Sequence, residues 1–548
     1  MRAEDDPYAH EEGAERHVFW ADAVADRILD RDPEEPIVVK GGISPSGVPH
    51  LGNMNEILRG YFVAEVLRER GYEVRQVFTS DDRDPLRKLP RKLANLDGKI
   101  VDLGDVNAGA LGRNLGRPYT DIPDPFGCCD SYGAHFARLI EESAAALDVS
   151  VEMISNTELY ENGDFEEVTR LLLERADRAR SVLSEYQAKV DEDYVPFNPI
   201  CESCGKVTET VTDVDPEAGT VEYICTDIEA GDRVIEGCDH EGTATLREGK
   251  LPWRFEWPAQ WRVLGVDFEP FGKDHAEGSW PSGVDISRNV LDDVPPVPMV
   301  YEWFTLDGEP FSSSAGNVVL VQDVLRLVEP AVLRYFFSKD PKKARDFSIE
   351  RLDQLVDEFD RFEAIYFGEV EASADERERA DRVYPMLVEE VREERIRIPY
   401  TFAAVLGMTD DPDLREEIAR REGHISEDDP VWAVEAALER VERAREWARR
   451  TDNEFNYKLK RQYRPEVALD DDVAAALDDL ADFIEAGHDP EEIQGEIFEI
   501  ARRHDVDAGP FFETGYRLFF DEDQGPKLGR FLGKLDREFV LGRLRRER

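Results

Sequence analysis

The chain has 548 residues, enough for two to four domains of the usual size of roughly 100–200 residues. No run approaches the roughly 18 apolar residues that span a bilayer. The N-terminal residues lack the basic start and apolar core of a signal peptide. We therefore expect a soluble, cytoplasmic protein with no membrane partner.

The charge balance is strongly acidic. The 68 Lys and Arg residues against 121 Asp and Glu residues give a net charge of −53, yet 41% hydrophobic and 10% aromatic residues exclude a largely disordered chain. We interpret the acidity as halophilic adaptation, in which surface carboxylates hold water and cations in concentrated salt. Because the Debye length in molar salt is only about 3 Å, local basic patches can still bind phosphates.

Residues 1–340 are predicted to form an α/β domain. A buried strand at 37–39 precedes a glycine-rich turn at 41–47, and a helix follows with Met54, Ile57, Leu58 and Tyr61 at helical spacing, ended by Gly71. A second strand is predicted at roughly 73–79. This β–α–β order implies a parallel sheet that binds ligands at the carboxyl ends of its strands.

The first motif, Pro-Ser-Gly-Val-Pro-His-Leu-Gly-Asn, occupies residues 45–53 between the first strand and the first helix. A helix N-terminus offers unpaired N–H groups and a positive dipole end, which suits a triphosphate. His50 is a candidate hydrogen-bond donor to a phosphate oxygen, and Gly52 would let the nucleotide approach the backbone. The alternative is a glycine-rich turn that binds no ligand.

Four of the six cysteines lie within residues 198–250, which interrupt the α/β pattern as an inserted module would. Cys201, Cys204, Cys225 and Cys238 form the four-thiolate pattern of a structural zinc site, with His240 as an alternative to Cys238. We interpret the adjacent Cys128 and Cys129 as buried structural thiols.

Beyond about residue 350 the sequence is predicted to be helical and shows no strand-like run. Two stretches are basic against the acidic background, 443–464 and 526–548, each with a net charge of +5. The first also contains Trp447, Phe455 and Tyr457, which are candidates for stacking on unpaired nucleic-acid bases. A solvated helix face is the alternative interpretation of both stretches.

A second motif, Pro-Phe-Ser-Ser-Ser-Ala-Gly-Asn, occupies residues 310–317 and resembles the KMSKS loop of class I aminoacyl-tRNA synthetases. The first motif, 45–53, resembles the HIGH signature of the same enzymes, with Asn53 in place of the second His. The two positions that carry lysine in the KMSKS loop are occupied here by Pro310 and Ala315. A lysine there would supply a point charge to the departing pyrophosphate. A serine-rich turn without a ligand is the alternative.

Between and beyond these motifs, six further segments resemble one family, the archaeal-type class I lysyl-tRNA synthetases. They are 82–88, 125–133, 251–254, 271–275, 301–304 and 525–532. The resemblance covers most of the chain and is thin from 375 to 520. It implies a Rossmann-like catalytic domain at 1–340 with the zinc-type insertion at 198–250, a helical stem-contact region at 341–400, and an all-α anticodon-binding domain at 401–548.

The resemblance also implies site residues and ligands. Lysine would be bound by Gly42, Ser44, Trp253, His275 and Tyr301. ATP would be bound by Pro45, Gly47, Pro49, His50, Gly52, Asn53, Asp274, Ser312, Ser313 and Ser314. The catalytic residues would be His50, Asn53, Ser313 and Ser314.

The implied reaction is ATP-dependent lysine activation and transfer to tRNA(Lys), with Mg²⁺ accompanying the nucleotide. Glu302 and Asp81 are candidates for the carboxylate that binds the lysine ammonium. Trp257 and Trp261 are expected to be core residues. The alternatives are a class I synthetase for another amino acid, such as glutamate, and a non-catalytic tRNA-binding paralogue. The sequence does not determine the oligomeric state, for which a monomer is the expectation.

Overall fold

A computed structural model of the chain describes residues 2–9, 17–188, 190–231, 233–311 and 317–547. Its contacts divide the chain into two units. Unit 1 comprises Met1–Val324, Pro330–Ser348 and Gly368–Glu389, and unit 2 comprises Leu325–Glu329, Ile349–Phe367 and Glu390–Arg548. No helix of the described residues is both long and apolar enough to cross a membrane.

Unit 1 is built on a five-stranded parallel sheet. Its strands are β1 (Ile37–Ile43), β2 (Val74–Ser80), β3 (Glu152–Ser155), β4 (Phe268–Gly272) and β5 (Val297–Tyr301), in the order β5-β4-β1-β2-β3. β4 and β5 are buried along their whole length, as parallel strands covered on both faces must be. The predicted parallel α/β architecture is therefore confirmed.

The first β–α–β unit is confirmed with one correction. Strand β1 extends through Gly41, Gly42 and Ile43, which the sequence placed in a turn. The strand continues because Gly42 still pairs with Thr79 of β2. A glycine is needed there, since the Cβ of any other residue would lie only 2.3 Å from the hydroxyl of Thr79. The predicted helix spans Met54–Glu69, and Gly71 follows it with a φ of +93°.

The helices of unit 1 lie in the segments before, between and after the strands of this sheet. α1 spans Trp20–Leu29, α2 spans Met54–Glu69, and α3 spans Trp253–Leu264. The others are Ala108–Arg113, Tyr132–Ala145, Asn156–Asn162, Glu166–Glu174, Ala176–Leu183, Lys273–Glu277, Trp280–Ile286, Pro330–Ser338 and Ala374–Val383, while Val321–Leu325 ends at the border with unit 2. A π-helical turn, Ser287–Leu291, follows Trp280–Ile286, and 3-10 turns occur at Ala3–Asp5, Leu51–Asn53, Leu103–Asp105, Tyr119–Asp121 and Tyr384–Met386.

The insertion predicted at 198–250 is a set of short strands. Val211–Asp215, Thr220–Ile224 and Glu241–Thr245 form a three-stranded antiparallel sheet. Ile228–Ala230 pairs with Arg233–Ile235, and Asn198–Pro199 pairs with Gly249–Lys250. Elsewhere in unit 1, Lys92–Ala94 pairs with Ile100–Asp102, and Phe304–Leu306 lies between Glu309–Pro310 and Arg345–Phe347.

Unit 2 is helical, and its described residues contain no strand. Its helices are Leu352–Tyr366, Tyr400–Leu406, Pro412–Arg421, Val431–Thr451, Asp471–Glu485, Pro490–Arg503, Ala508–Phe520, Leu528–Leu532 and Arg537–Leu544. Arg440, on the longest of them, forms buried ion pairs with Glu329 (2.6 Å) and Asp360 (2.7 Å). The helical prediction for this half of the chain is confirmed.

Candidate active site

A cavity of about 640 Å³ opens at the carboxyl edge of the parallel sheet. The ends of β1, β4 and β5 reach it, as the β–α–β pattern predicts for a ligand site. All five residues predicted to bind lysine line this cavity: Gly42, Ser44, Trp253, His275 and Tyr301. Of the residues predicted to bind ATP, His50, Gly52, Asn53 and Asp274 line it as well.

The remaining residues predicted to bind ATP lie elsewhere. Pro45 and Pro49 are buried in the connection between β1 and α2, and Gly47 lines a neighbouring cavity. Ser312, Ser313 and Ser314 lie outside the described residues. The structure describes the residues on either side of this segment, Phe311 and Asn317. On one side Phe311 lines the site cavity, and on the other the side-chain amide of Asn317 donates to the carbonyl of Pro310 (2.9 Å).

His50 lies at the wall of the cavity, directly before the 3-10 turn that precedes α2. Its Nδ1 atom is buried and has no hydrogen-bond partner among the residues that the structure describes. Burial lowers the pKa of the ring to about 4, so the imidazole is neutral near pH 7. The ring is thus a buried polar group that a ligand in the cavity can satisfy.

Gly52 and Asn53 hold His50 in place. A side chain at position 52 would lie 2.7 Å from Nδ1 of His50, so the glycine leaves room for the imidazole. Asn53 accepts a hydrogen bond from the backbone N–H of His50 (2.8 Å). Gly52 also lines the cavity, and its predicted role in the close approach of a nucleotide stays a prediction.

Trp253, at the start of α3, forms an aromatic wall of the cavity. Its ring stacks on Trp257 with centroids 5.4 Å apart and planes 16° apart, and it lies 6.0 Å from the ring of His275. Trp257 and Trp261 are 2% and 3% exposed, which confirms their prediction as core residues. A half-buried indole beside an imidazole offers a surface for an apolar stem or a cation.

Two carboxylates lie near these aromatic residues: Glu269 is buried, and Glu56 is half-buried in the lining of the cavity. Glu269 of β4 accepts hydrogen bonds from Lys40 (2.6 Å), Trp257 (3.0 Å) and Trp261 (2.6 Å). Glu56, in the first turn of α2, accepts one from the backbone N–H of Gly42 (3.2 Å) and one from the hydroxyl of Tyr301 (3.1 Å). Sequence reasoning missed both carboxylates. The signal for Glu56 was an acidic residue in the first turn of the helix that follows the first motif.

The two carboxylates that the sequence offered for the lysine ammonium have other partners. Asp81 accepts hydrogen bonds from the side-chain amides of Asn156 and Gln260, each at 2.9 Å. Glu302 pairs with Lys273 at 2.8 Å. Asp81 lines the cavity, whereas Glu302 does not.

The four cysteines of the insertion come together. Cys201 and Cys238 lie 3.6 Å apart, as do Cys204 and Cys225, and all four sulfur atoms lie within 4.8 Å of one another. A tetrahedral zinc with Zn–S bonds of about 2.3 Å requires sulfur–sulfur distances of about 3.8 Å. His240 instead pairs with Glu202 (2.9 Å). The donor set therefore fits zinc and consists of four thiolates.

A second group of potential metal ligands contains Cys128 and Cys129, with Asp124 and His135. Cys128 is exposed, so the interpretation of both residues as buried thiols is wrong. Their backbone N–H groups bind Asp124 and turn the loop outward (2.7 and 2.8 Å). Nε2 of the buried His135 lies 2.8 Å from the carbonyl of Ala94, and its Nδ1 lies 3.3 Å from the sulfur of Cys128. Nδ1 also lies 3.4 Å from a carboxylate oxygen of Asp124, so these side chains contact one another directly.

The aromatic residues of the basic stretch 443–464 do not share one environment. Trp447 is 3% exposed and donates to the carbonyl of Ile349 (2.7 Å), so it cannot stack on a base. Phe455 and Tyr457 instead line a cavity of about 660 Å³ within unit 2. The cavity also includes Phe498, which is 51% exposed, and Lys527 from the second basic stretch.

Comparisons with known proteins identify the family of the chain. A family model described as tRNA synthetases class I (K) matches residues 18–389. The lysine–tRNA ligase of Halobacterium salinarum is 75% identical over the full length of both chains. That of Haloarcula marismortui is 69% identical over 99% of each chain, and that of Pyrococcus horikoshii is 35% identical over 97% of this chain and 100% of the relative.

The structure has a parallel sheet with a cavity at its carboxyl edge, and the family model matches more than half of the sequence. The protein is therefore a class I aminoacyl-tRNA synthetase, which is an enzyme. Within that class, the chain belongs to the family of tRNA synthetases class I (K), the lysine enzymes.

Proposed function

We propose that the cavity at the carboxyl edge of the sheet binds lysine and ATP side by side and forms lysyl-adenylate. The chain is a lysine–tRNA ligase, as its family and its relatives at 66–75% identity establish. The observation that carries the assignment of this cavity is its lining. Gly42, Ser44, Trp253, His275 and Tyr301 surround one space together with His50.

In the first step a carboxylate oxygen of lysine attacks the α-phosphorus of ATP, and the bond to the bridging oxygen breaks to release pyrophosphate. No protein nucleophile is needed, because the substrate itself attacks. The protein contributes positioning and stabilisation of developing charge. In the second step a terminal ribose hydroxyl of tRNA attacks the carbonyl carbon of the adenylate, and AMP leaves.

His50 is placed to assist the first step. As a neutral imidazole it has one ring N–H to donate to a phosphate oxygen, and its half-buried position strengthens such a bond. Asn53 would act by fixing the backbone at His50, and Asp274 lies exposed at the mouth for the nucleotide. We extend the proposal to Ser313 and Ser314 as further donors to the phosphates, with Mg²⁺ accompanying ATP.

The cavity lining argues against the glutamate alternative. A pocket for a glutamate side chain calls for an arginine, and none of the described residues that line the cavity is an arginine. The aromatic and acidic lining suits a cationic side chain instead. The similarity to lysine–tRNA ligases over the whole chain also argues against a paralogue without catalytic activity.

A second cavity, of about 830 Å³, adjoins the first and shares Asp84 and Trp253 with it. Five of its lining residues are basic, and four of them point to nucleic acid, Arg87, Lys88, Arg91 and Arg254, whereas Lys250 pairs with Asp84 and Glu256. Lys88 and Arg91 are exposed and form no ion pair with any described residue, which is unusual in a chain of charge −53. We assign this surface to the single-stranded 3′ end of the tRNA.

Unit 2 supplies the proposed anticodon site. Phe455, Phe498, Phe512 and Tyr516 surround its cavity, and Lys527 adds positive charge. Aromatic faces of this kind stack on unpaired bases. A Phe498→Ala variant that charges tRNA(Lys) with an unchanged KM for tRNA would contradict the assignment of this cavity.

The domains follow from the same assignment. We propose 1–340 as the catalytic domain, 341–400 as the stem-contact region and 401–548 as the anticodon-binding domain.

We also propose that Cys201, Cys204, Cys225 and Cys238 hold one structural zinc. The thiolates join the Cys201–Cys204 turn to the end of the Thr220–Ile224 strand and to the segment before Glu241–Thr245. A bound zinc would therefore cross-link the insertion.

ATP–pyrophosphate exchange, run in molar KCl with each of the twenty amino acids in turn, tests the proposed function. We expect exchange with lysine to exceed that with every other amino acid, consistent with a cytoplasmic enzyme of translation. Exchange that is strongest with glutamate, or absent with all twenty, would overturn the proposal.

A further inference from the structure

Two residues, Asp84 and Trp253, line both the adenylation cavity of about 640 Å³ and the basic cavity of about 830 Å³ beside it. Of the two, Asp84 is the charged one, and it lies shortly after β2 ends at Ser80. Its N–H donates to the carbonyl of Asp81, and its own carbonyl accepts the N–H of Tyr119, each at 3.1 Å. The backbone therefore fixes a carboxylate at the junction of the two cavities.

The side chain of Asp84 is held at one of its two oxygens. The ammonium of Lys250 donates to that oxygen and also binds Glu256 at 2.8 Å. The side chain of Lys250 is 4% exposed, whereas that of Asp84 is 33% exposed. Among the residues that the structure describes, no other hydrogen bond reaches the carboxylate of Asp84. Its second oxygen is free to accept a hydrogen bond from a ligand.

The charge of Lys250 decides what kind of ligand group can bind there. Burial by itself would lower the pKa of Lys250, but the charges of Asp84 and Glu256 raise it above its usual value. Lys250 therefore stays an ammonium near pH 7 and forms a charge-assisted hydrogen bond with Asp84. A carboxylate in such a pair only accepts hydrogen bonds, so a ligand group that binds its second oxygen must be a donor.

The other charged groups near the junction lack this combination. Asp81 lines the adenylation cavity but is only 5% exposed, and one of its oxygens accepts the amides of both Asn156 and Gln260. Lys250 lines the basic cavity, but two carboxylates occupy its ammonium. Asp84 thus combines a place in both linings with an acceptor that is exposed and unoccupied.

We propose that Asp84 accepts a hydrogen bond from the attacking hydroxyl of the terminal ribose of tRNA and directs that hydroxyl at the adenylate. This inference rests on the proposed function, in which lysine is activated in one cavity and the tRNA end lies in the other. A ribose that enters from the basic cavity would meet the adenylate at the residues that the two cavities share.

Asp84 would act in the second step of the reaction. There the ribose oxygen bonds to the carbonyl carbon of the adenylate, the proton of the hydroxyl is lost to water, and the bond to the phosphate oxygen breaks to release AMP. The carboxylate would contribute by orienting the hydroxyl for this attack.

The test measures the two steps separately in wild type, Asp84→Asn and Asp84→Glu. Pyrophosphate exchange with lysine reports the first step. For the second, the isolated complex of enzyme and lysyl-adenylate is mixed with tRNA(Lys) in molar KCl, and the rate constant of transfer is measured by rapid quench over a range of tRNA concentrations. Asp97→Asn, the same substitution at an exposed residue that lines neither cavity, is the matched control. Thermal unfolding of each variant reports whether it is folded.

We expect Asp84→Asn to lower the rate constant of transfer at saturating tRNA by about tenfold or more beyond any change in exchange, as loss of a charged hydrogen bond to the reacting hydroxyl predicts. The tRNA concentration that half-saturates transfer should change much less, because the phosphate contacts remain. Asp84→Glu keeps a negative charge beside Lys250 but moves the acceptor, so its transfer should also slow relative to exchange. It therefore tests the proposal should Asp84→Asn fail to fold. Asp97→Asn should match the wild type in both steps.

A ratio of transfer to exchange that stays within about threefold of the wild type in the folded variants would overturn the inference, whether both steps fall together or neither changes. Failure of the proposed function would look different. Either the wild type would not exchange pyrophosphate with lysine, or the double variant Lys88→Ala/Arg91→Ala would leave the KM for tRNA(Lys) unchanged.

Discussion

The imidazole of His50 stacks on the phenyl ring of Phe311, with ring centroids 5.1 Å apart and planes inclined by 25°. Phe311 directly precedes the serine-rich segment 312–316, and His50 directly precedes the turn into α2. The two signature motifs of the family therefore meet through one aromatic contact at the wall of the cavity. His50 and Phe311, the residue before the serine-rich segment, are therefore positioned together.

Replacing His50 with alanine should slow adenylate formation. The variant loses the ring N–H proposed to donate to the phosphate as charge builds up, and it loses the stacking partner of Phe311. We expect the rate constant for adenylation to fall by at least about tenfold, or about 1.4 kcal/mol, with little change in lysine affinity. Pre-steady-state adenylate formation measures it.

His488→Ala is the matched control for this prediction, since His488 lies in unit 2 and pairs with Glu492 (3.2 Å). It should form adenylate at the wild-type rate. A His50→Ala enzyme as fast as the control would exclude the proposed role of the imidazole.

Lysine affinity should depend on pH through Glu56. Its raised pKa of about 8 means that the carboxyl is mostly neutral below that pH in the free enzyme, whereas an ammonium ligand favours the ionised form. The value of kcat/KM for lysine should therefore rise as the pH increases from about 6.5 and level off above about 8. A pH profile in buffered KCl measures this.

Other groups face the same space, so the profile needs a variant as its control. Lys40 and Glu269 form a buried ion pair, and burial raises the pKa of the Tyr301 hydroxyl far above this range. Asp81 also lines the cavity, and burial raises its pKa to about 7. The part of the rise that disappears in Glu56→Gln belongs to Glu56. An identical profile in that variant would assign the whole rise to Asp81 or to another group.

Removing one thiolate of the cysteine cluster should release a metal. Cys204→Ser should carry one zinc per chain fewer than the wild type by elemental analysis after dialysis. Its melting temperature should fall, and its catalysis should fall less at low temperature, because a structural metal contributes to folding. Equal zinc content and equal melting temperature in the two proteins would rule out the site.

The basic cavity beside the active site should matter for tRNA alone. The double variant Lys88→Ala/Arg91→Ala should raise the KM for tRNA(Lys) several-fold and make charging less sensitive to salt, because two phosphate contacts are lost. ATP–pyrophosphate exchange should be unaffected. Lys343→Ala, an exposed lysine of unit 1 near Asp340, is the control and should change neither assay. A parallel loss of exchange would instead indicate damage to the adenylation site.

Local patterns were sufficient to predict much of this molecule. The alternation of strand, glycine-rich connection and helix at 37–79 predicts a parallel sheet, and the spacing of Cys201 and Cys204 predicts a metal knuckle. Both signals depend on residues close together in sequence. The five lysine-site residues came from resemblance to a family, and the structure brings them into one cavity.

The contacts that sequence reasoning missed join distant parts of the chain. Glu56 accepts a hydrogen bond from the hydroxyl of Tyr301, which is 245 positions away, while Lys40 forms its ion pair with Glu269 instead. Trp447 looked available for stacking because its own helix is basic, but its indole is buried and bonded to the carbonyl of Ile349. Neither the place of a carboxylate in the cavity lining nor the burial of an indole by distant residues leaves a periodic signal in the sequence.

Charging of tRNA(Lys) with radiolabelled lysine tests the central claim most directly. The assay contains ATP, Mg²⁺ and molar KCl, with the other nineteen amino acids offered separately in parallel. We predict that lysine alone accumulates on the tRNA, with label that is stable to removal of ATP and released by mild base, as an ester to the terminal ribose requires. Accumulation of a different amino acid, or tRNA binding without any charging, would contradict the account.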